Sequence, residues 1–198
     1  MIQIVRHLFR MDGPVINKAL AAMLVVSGFY MFAFGMFSPL YALFVEEIGG
    51  DITTASNAWA IFLITTGLLT FLTGKWENGL RDRAIGIALS QFIVAAAYMI
   101  YYFADRIAML YMAQVLLGIA AAFFWPAFHS LYGKHTDKYN APKQWSFYDA
   151  LAYLVPAFAA VLGGWLVKYY GFDTIFIAMA GLSVICGFYI LLLPKKLL

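Results

Sequence analysis

Charge is the scarcest property of this 198-residue chain. Asp, Glu, Lys and Arg together make up 12% of it, against roughly 25% in soluble domains. Cysteine is nearly absent as well. Cys186 stands alone in an apolar run, which excludes a disulfide framework and leaves it the role of a small hydrophobe. The chain contains no Gly-x-Ser-x-Gly, no His-Glu-x-x-His and no glycine-rich phosphate loop. Serine hydrolase, zinc protease and ATP-driven pump chemistry therefore lack their usual residues. His129 and His135 have no further ligands beside them, so no metal, cofactor or enzymatic role is expected.

What fills the chain is apolar: 64% of residues are hydrophobic and 18% aromatic. Six uncharged stretches, Ala19 to Val45, Ile52 to Gly74, Ala84 to Ala104, Ile107 to Gly133, Ala150 to Val167 and Thr174 to Pro194, account for nearly all of it. A helix needs about 20 apolar residues to cross a hydrocarbon layer of roughly 30 Å. With its flanking turns each stretch is long enough. The expected organisation is an N-terminal segment over 1–16, then a six-helix membrane domain over 17–198 with spans at 18–46, 52–74, 83–104, 107–133, 144–169 and 173–194. Arg6 and Arg10 resemble a signal-peptide n-region, but the apolar run that follows is too long for an h-region and has no clear cleavage site. The first span is expected to be retained. Met1 to Met11 alternate apolar and basic residues, as an interfacial helix or a frayed tail would.

The few charges mark topology. Eleven of the thirteen Lys and Arg residues fall before the first span, between spans two and three, between four and five, and after six. The opposite loops hold Arg106, Lys168, Glu46, Glu47, Asp51, Asp105 and Asp173. The positive-inside rule then puts both termini in the cytoplasm of a cell whose inner or plasma membrane holds the protein. Trp76, Trp165, Tyr169 and Tyr170 suit interfacial anchors.

Phe37-Ser38-Pro39-Leu40-Tyr41 in span one is echoed 87 residues later by Phe124-Trp125-Pro126-Ala127-Phe128 in span four. The same offset carries span three onto span six. Two repeats with three spans each must lie in opposite orientations, as in secondary transporters. Helical spacing then ranks the spans. Gln114, Gly118, Ala121, Trp125 and His129 share one face of span four, and Trp145, Asp149, Tyr153, Pro156, Ala160 and Gly164 one face of span five. Spans three and six are nearly pure hydrocarbon and are expected toward lipid or as support. The polar faces of spans one, four and five would meet lipid unless covered.

Asp149 is the one acid well inside a span, where a carboxylate costs about 2.5–3.5 kcal/mol even on the lenient scale. His129 is at similar depth, roughly 6–8 Å from the same membrane face. The two are expected either to meet as a titrating pair that moves protons, or to face water separately. Tyr30, Gln114, Trp125 and Tyr153 are the candidate substrate-binding residues. Gln114 leads them because a deep amide without a partner leaves donors and acceptors unmet. Gly118, Gly163 and Gly164 allow close helix approach, and Pro39, Pro126 and Pro156 remove backbone hydrogen bonds and bend their helices.

The run from Ser38-Pro39-Leu40 through Glu47-Ile48-Gly49 to Gly74 resembles the first two helices of the major facilitator superfamily. The loop from Gly74 to Arg83 is similar to that family's Gly-x-Leu-x-Asp-Arg-x-Gly-Arg-Arg motif. Gly74 and Arg83 match, Asn78 stands at the aspartate, and the inner Arg and Gly are missing. Gln114 to Gly118 resembles the Arg-x-x-x-Gly pattern with Gln114 in place of arginine. Pro156, Gly163-Gly164-Trp165, Tyr170-Gly171-Phe172 and Phe176 follow the family's fifth-span run. The resemblance covers about residues 18–194 and implies one six-helix half of a twelve-helix transporter, with Gly74, Asn78 and Arg83 in a gating loop. Such a half, inserted twice in the same orientation, implies a parallel homodimer that moves a small solute by alternating access, with protons as a coupling ion. The alternatives are a regulatory or assembly subunit without turnover and half of a larger transporter. The solute classes left open are a sugar, a neutral polar solute and an amphiphilic drug.

Overall fold

The computed structural model describes residues 15–76 and 83–195, and the side chains at 73–76 are outside that description. Met1 to Met11 and Asn78 lie outside the described residues. Six helices are long and apolar enough to cross a membrane. The first span, Lys18–Glu47, is interrupted at Ser38–Leu40 by one tight 3-10 turn around Pro39. The others are Ile52–Trp76, Arg83–Tyr102, Ile107–His135, Ala141–Tyr170 and Phe172–Leu192. Several of these run past the expected ends: the second continues to Trp76, the fourth through Lys134 and His135, and the fifth begins at Ala141, with Pro142 in its first turn, where a missing N–H costs nothing. Pro126 and Pro156 lie inside continuous helices. Only Pro39 breaks its span.

Helix ends are set locally. Asn17 caps the first span by accepting a hydrogen bond from the Leu20 N–H at 2.8 Å. Asp51 caps the second, its Oδ1 accepting from both the N–H and the hydroxyl of Thr54 at 2.7 Å. These bonds hold the Asp51 carboxyl below the usual carboxylate range. Gly171, at φ 77°, makes the sharp turn between spans five and six that a side chain would strain.

The spans pack in a pattern that follows the sequence repeat. The first packs along the fifth, the second along the fourth, and the third against the sixth. Exchanging one to three with four to six returns the same pairs. The repeated motif also lands at opposite ends of the bundle. Phe37 belongs to an apolar cluster with Phe44, Tyr101, Phe172 and Phe176 near the distal end, the end of the first span away from Lys18. Phe124 belongs to the cluster of Leu20, Met23, Phe128 and Tyr132 near the proximal end. That is the placement two inverted units require.

Glycines set the closest approaches. A Cβ on Gly35 would stand 2.6 Å from the Pro156 Cα, and one on Gly118 2.7 Å from the Thr65 Cβ. Gly163 lies against the Met36 carbonyl, whereas Gly164 faces open space. Burial is uneven. Only 11% of the most apolar window is buried in spans two and five, against 61% in span one and 56% in span three. The expectation that spans one and four need outside cover is corrected here: Gln114, Gly118 and Ala121 are buried within the chain, and the uncovered flank is that of spans two and five.

Candidate functional site

Polar and aromatic groups converge on a cavity of about 250 Å³. It lies in the distal half of the bundle. Tyr30, Phe34, Phe37, Ser38 and Tyr41 of the first span line it over three turns, and Trp59 and Phe62 come from the second. Tyr98 and Tyr101 of the third span and Gln114 and Leu117 of the fourth close its inner wall, with Met179 of the sixth. Phe34 and Trp59 are at the mouth, 39% and 41% exposed, while Gln114 and Tyr101 at the back are 2% and 1% exposed. No Asp, Glu, Lys or Arg is among the lining residues.

Local sequence explains the geometry. Tyr30, Phe34, Phe37 and Tyr41 follow at three and four residues and so share one face, and the 3-10 turn at Pro39 carries Tyr41 on toward Gln114. The Gln114 amide donates to the Tyr41 hydroxyl oxygen at 2.7 Å. This partly buried bond joins the two repeats at the site. The Tyr30 ring stacks on Phe124 with centroids 4.5 Å apart and meets Trp125 edge-on at 5.3 Å. At the distal end Phe176 packs on Phe37, Phe44 and Tyr101 at 5.1, 4.9 and 5.4 Å. These rings seal the cavity from that side.

Of the sequence candidates, Tyr30 and Gln114 line the cavity. Trp125 backs it, packed on Tyr30 but not itself lining it. Tyr153 lies elsewhere, 78% exposed on the open flank of span five. His129 stacks on Trp125 at 5.5 Å and faces Trp145 at 6.2 Å. Asp149 is exposed on the neighbouring helix, and no hydrogen bond or ion pair joins it to His129 among the described residues. The longer helices place these two farther from the helix ends than expected. His129 is six residues from the end at His135 and Asp149 eight from the start at Ala141, about 9 and 12 Å along the axes. Gly74 lies in the last turn of the second span and Arg83 opens the third.

Tyr98 and Tyr101 escape the sequence reading, which places span three as support. The available signal is the i, i+3, i+7, i+10 row of Gln91, Val94, Tyr98 and Tyr101 on a single face. It was masked because tyrosines near a span end also suit interfacial anchors. The Tyr101 hydroxyl is buried with no hydrogen-bond partner among the described residues, and so are both amide atoms of Gln91 lower on that face.

A polar latch holds the proximal end. Gln144, 2% exposed, donates to the Val15 carbonyl at 2.8 Å and accepts from the Asp137 N–H at 2.8 Å. Tyr132 donates to the Gln144 carbonyl, and Asn17 donates to the His135 carbonyl at 2.9 Å. These bonds tie the start of span one to the connection between spans four and five. The cavity is thus sealed by rings at one end and by hydrogen bonds beyond a second aromatic cluster at the other.

Comparison with known proteins fits this arrangement. The sequence profile of the Major Facilitator Superfamily matches residues 23–197. An uncharacterized MFS-type transporter of Bacillus subtilis (strain 168), YitZ, is 26% identical over 156 residues, which cover 79% of this chain and 94% of that protein. The purine ribonucleoside efflux pump NepI of Escherichia coli O127:H6 is 27% identical over 110 residues, 56% of this chain and 28% of the pump. The crystal structure of the POT family transporter PepTSo superposes with a TM-score of 0.70 over 88% of this chain and 37% of that one, at 16% identity. With six membrane helices and a profile match over nearly its whole length, the chain belongs to the Major Facilitator Superfamily.

Proposed function

We propose that the chain is a half-size secondary transporter of a small solute, working as a parallel homodimer by alternating access and not as an enzyme. The observation that carries this reading is the uncharged aromatic cavity whose mouth, at Phe34 and Trp59, belongs to spans one and two. A cavity built between the two repeats and sealed differently at its ends is suited to opening one end at a time. The relative matched over 94% of its own length supports a half-size protein. The two matched over 28% and 37% of theirs favour the second reading, half of a larger assembly.

The uncovered flank supports the homodimer. Leu68 and Val161, on spans two and five, are 65% and 76% exposed, and the exposed Asn57, Asp149 and Tyr153 lie on the same two spans. Aliphatic side chains are content in lipid, but Asn57 and Asp149 are not. A second copy related by an axis along the membrane normal would cover them. Proton coupling is assigned to Asp149, with His129 on the neighbouring span four, and gating to the loop holding Gly74, Asn78 and Arg83. Both termini are assigned to the cytoplasmic side of the cell membrane.

Single cysteines test the assembly, because native Cys186 is buried. Val161→Cys and Leu68→Cys should give disulfide or short-linker dimers in membranes, whereas Leu89→Cys and Phe188→Cys, on spans three and six, should not. Dimers only from the latter pair would place the partner on the wrong side of the bundle. The same approach reads orientation: Glu47→Cys should react with an impermeant reagent outside intact cells and Lys138→Cys should not.

A further inference from the structure

We propose that the cavity takes an uncharged, flat ring compound that presents hydrogen-bond acceptors along one edge, an inference that rests on reading this cavity as the substrate site. The first ground is the wall. The lining offers rings of Phe34, Phe37, Trp59 and Phe62 and no Asp, Glu, Lys or Arg. An ion entering it would lose its hydration and gain no counter-charge, while a planar ring gains offset or edge contacts with the walls.

The second ground is the pattern of unused donors. The hydroxyls of Tyr30, Tyr98 and Tyr101 make no hydrogen bond to another described residue, and that of Tyr101 is buried without a partner in a side chain 1% exposed. The Tyr41 oxygen accepts from Gln114, which leaves the Tyr41 proton free to donate. These four tyrosines line a space of about 250 Å³ whose wall is otherwise mostly apolar, so their O–H groups are among its few polar points. Buried polar groups are normally paired, so the molecule that pairs these brings acceptors: carbonyl oxygens, ring nitrogens or ether oxygens. The third ground is placement. Tyr98 and Tyr101 stand at the back on span three, beside Gln114 of span four, Tyr30 and Tyr41 face them from span one, and the rings of Phe34 and Trp59 are at the mouth. A ligand therefore enters past apolar rings and is recognised at its inner edge.

The test uses one ring in three charge states. Binding of nicotinamide, nicotinate and 1-methylnicotinamide to the purified full chain in detergent is measured by equilibrium dialysis, with benzamide and uracil as further neutral rings. At least one neutral ring should bind saturably, and the anion and cation should bind at least about tenfold more weakly than nicotinamide. Tyr101→Phe keeps the ring and removes the orphan hydroxyl. It should weaken neutral-ring binding about three- to tenfold while the melting temperature without ligand stays level or rises. Equal or tighter binding of either ion, no binding of any neutral ring, or unchanged affinity in Tyr101→Phe overturns the inference. Charge-selective binding without flux would leave it standing and remove the transport reading. Flux of a charged solute without neutral-ring binding would do the reverse.

Discussion

Spans three and six and spans two and five exchange the roles that composition suggests. The third and sixth are almost pure hydrocarbon, yet they pack on each other and 56% and 44% of their apolar windows are buried. The second and fifth carry Asn57, Thr65, Asp149 and Tyr153, yet only 11% of theirs is buried. In water this would be inverted, because exposed hydrocarbon is costly there. In lipid the surroundings are as apolar as a protein core, so association rests on close packing and polar contacts instead of apolar burial. An apolar span carries no signal about which way it faces. A polar residue on an exposed span signals that something other than lipid belongs beside it.

The comparison is most easily broken at the seam that holds span five. Its buried residues beyond the first turns are Ala159 and Gly163, and Gly163 touches the Met36 carbonyl. Gly163→Ala forces two backbones apart and should cost about 1–3 kcal/mol or more, read as a lowered melting temperature in detergent. Gly164→Ala, with open space around it, should be neutral or slightly stabilising. On the better buried side, a Cβ at Gly187 would meet only the ring end of Phe92 at 3.0 Å, so Gly187→Ala should fall between the two. Equal effects at Gly163 and Gly164 would mean the seam is not closely packed.

A second prediction sharpens what the open flank is for. Asp149→Asn keeps the shape and removes the carboxylate. It should abolish pH-driven uphill accumulation in proteoliposomes while downhill exchange stays within about twofold of wild type. Continued accumulation against a gradient would make Asp149 a solvated carboxylate near the helix start and nothing more.

The smallest effect concerns the start of span two. The Asp51 carboxyl is held low by its bonds from Thr54, so its capping is fully present at neutral pH, where the group is charged in both folded and unfolded chains. It is lost as pH falls below the ordinary carboxylate range and the folded-state group finally takes up a proton. Thermal stability should drop slightly more between neutral pH and about pH 3 in wild type than in Asp51→Ala. Parallel pH profiles would contradict this.

Much of the fold was legible because a membrane span is a long, uncharged run, and its ends fell within a few residues of the observed helices. The exceptions are instructive. Pro39 broke its helix while Pro126 and Pro156 did not, since a proline's cost depends on whether neighbouring groups compensate the lost bond. Gln114 was legible as a site residue because a deep amide demands a partner, and Tyr41 supplies it at 2.7 Å. Tyr98 and Tyr101 were not, because periodicity fixes which residues share a face but not what that face meets. His129 and Asp149 share a depth, yet side chains on adjacent helices can diverge around their axes.

The central claim is that this chain alone moves an uncharged solute through the Gln114 cavity, and flux in proteoliposomes of the purified protein tests it most directly. With a panel of neutral solutes, purine ribonucleosides included, the account predicts saturable flux for at least one. It also predicts that flux falls at least about tenfold in Gln114→Leu, with the protein still folded by its melting transition. No flux above protein-free liposomes across the panel, or wild-type flux in Gln114→Leu, would contradict it.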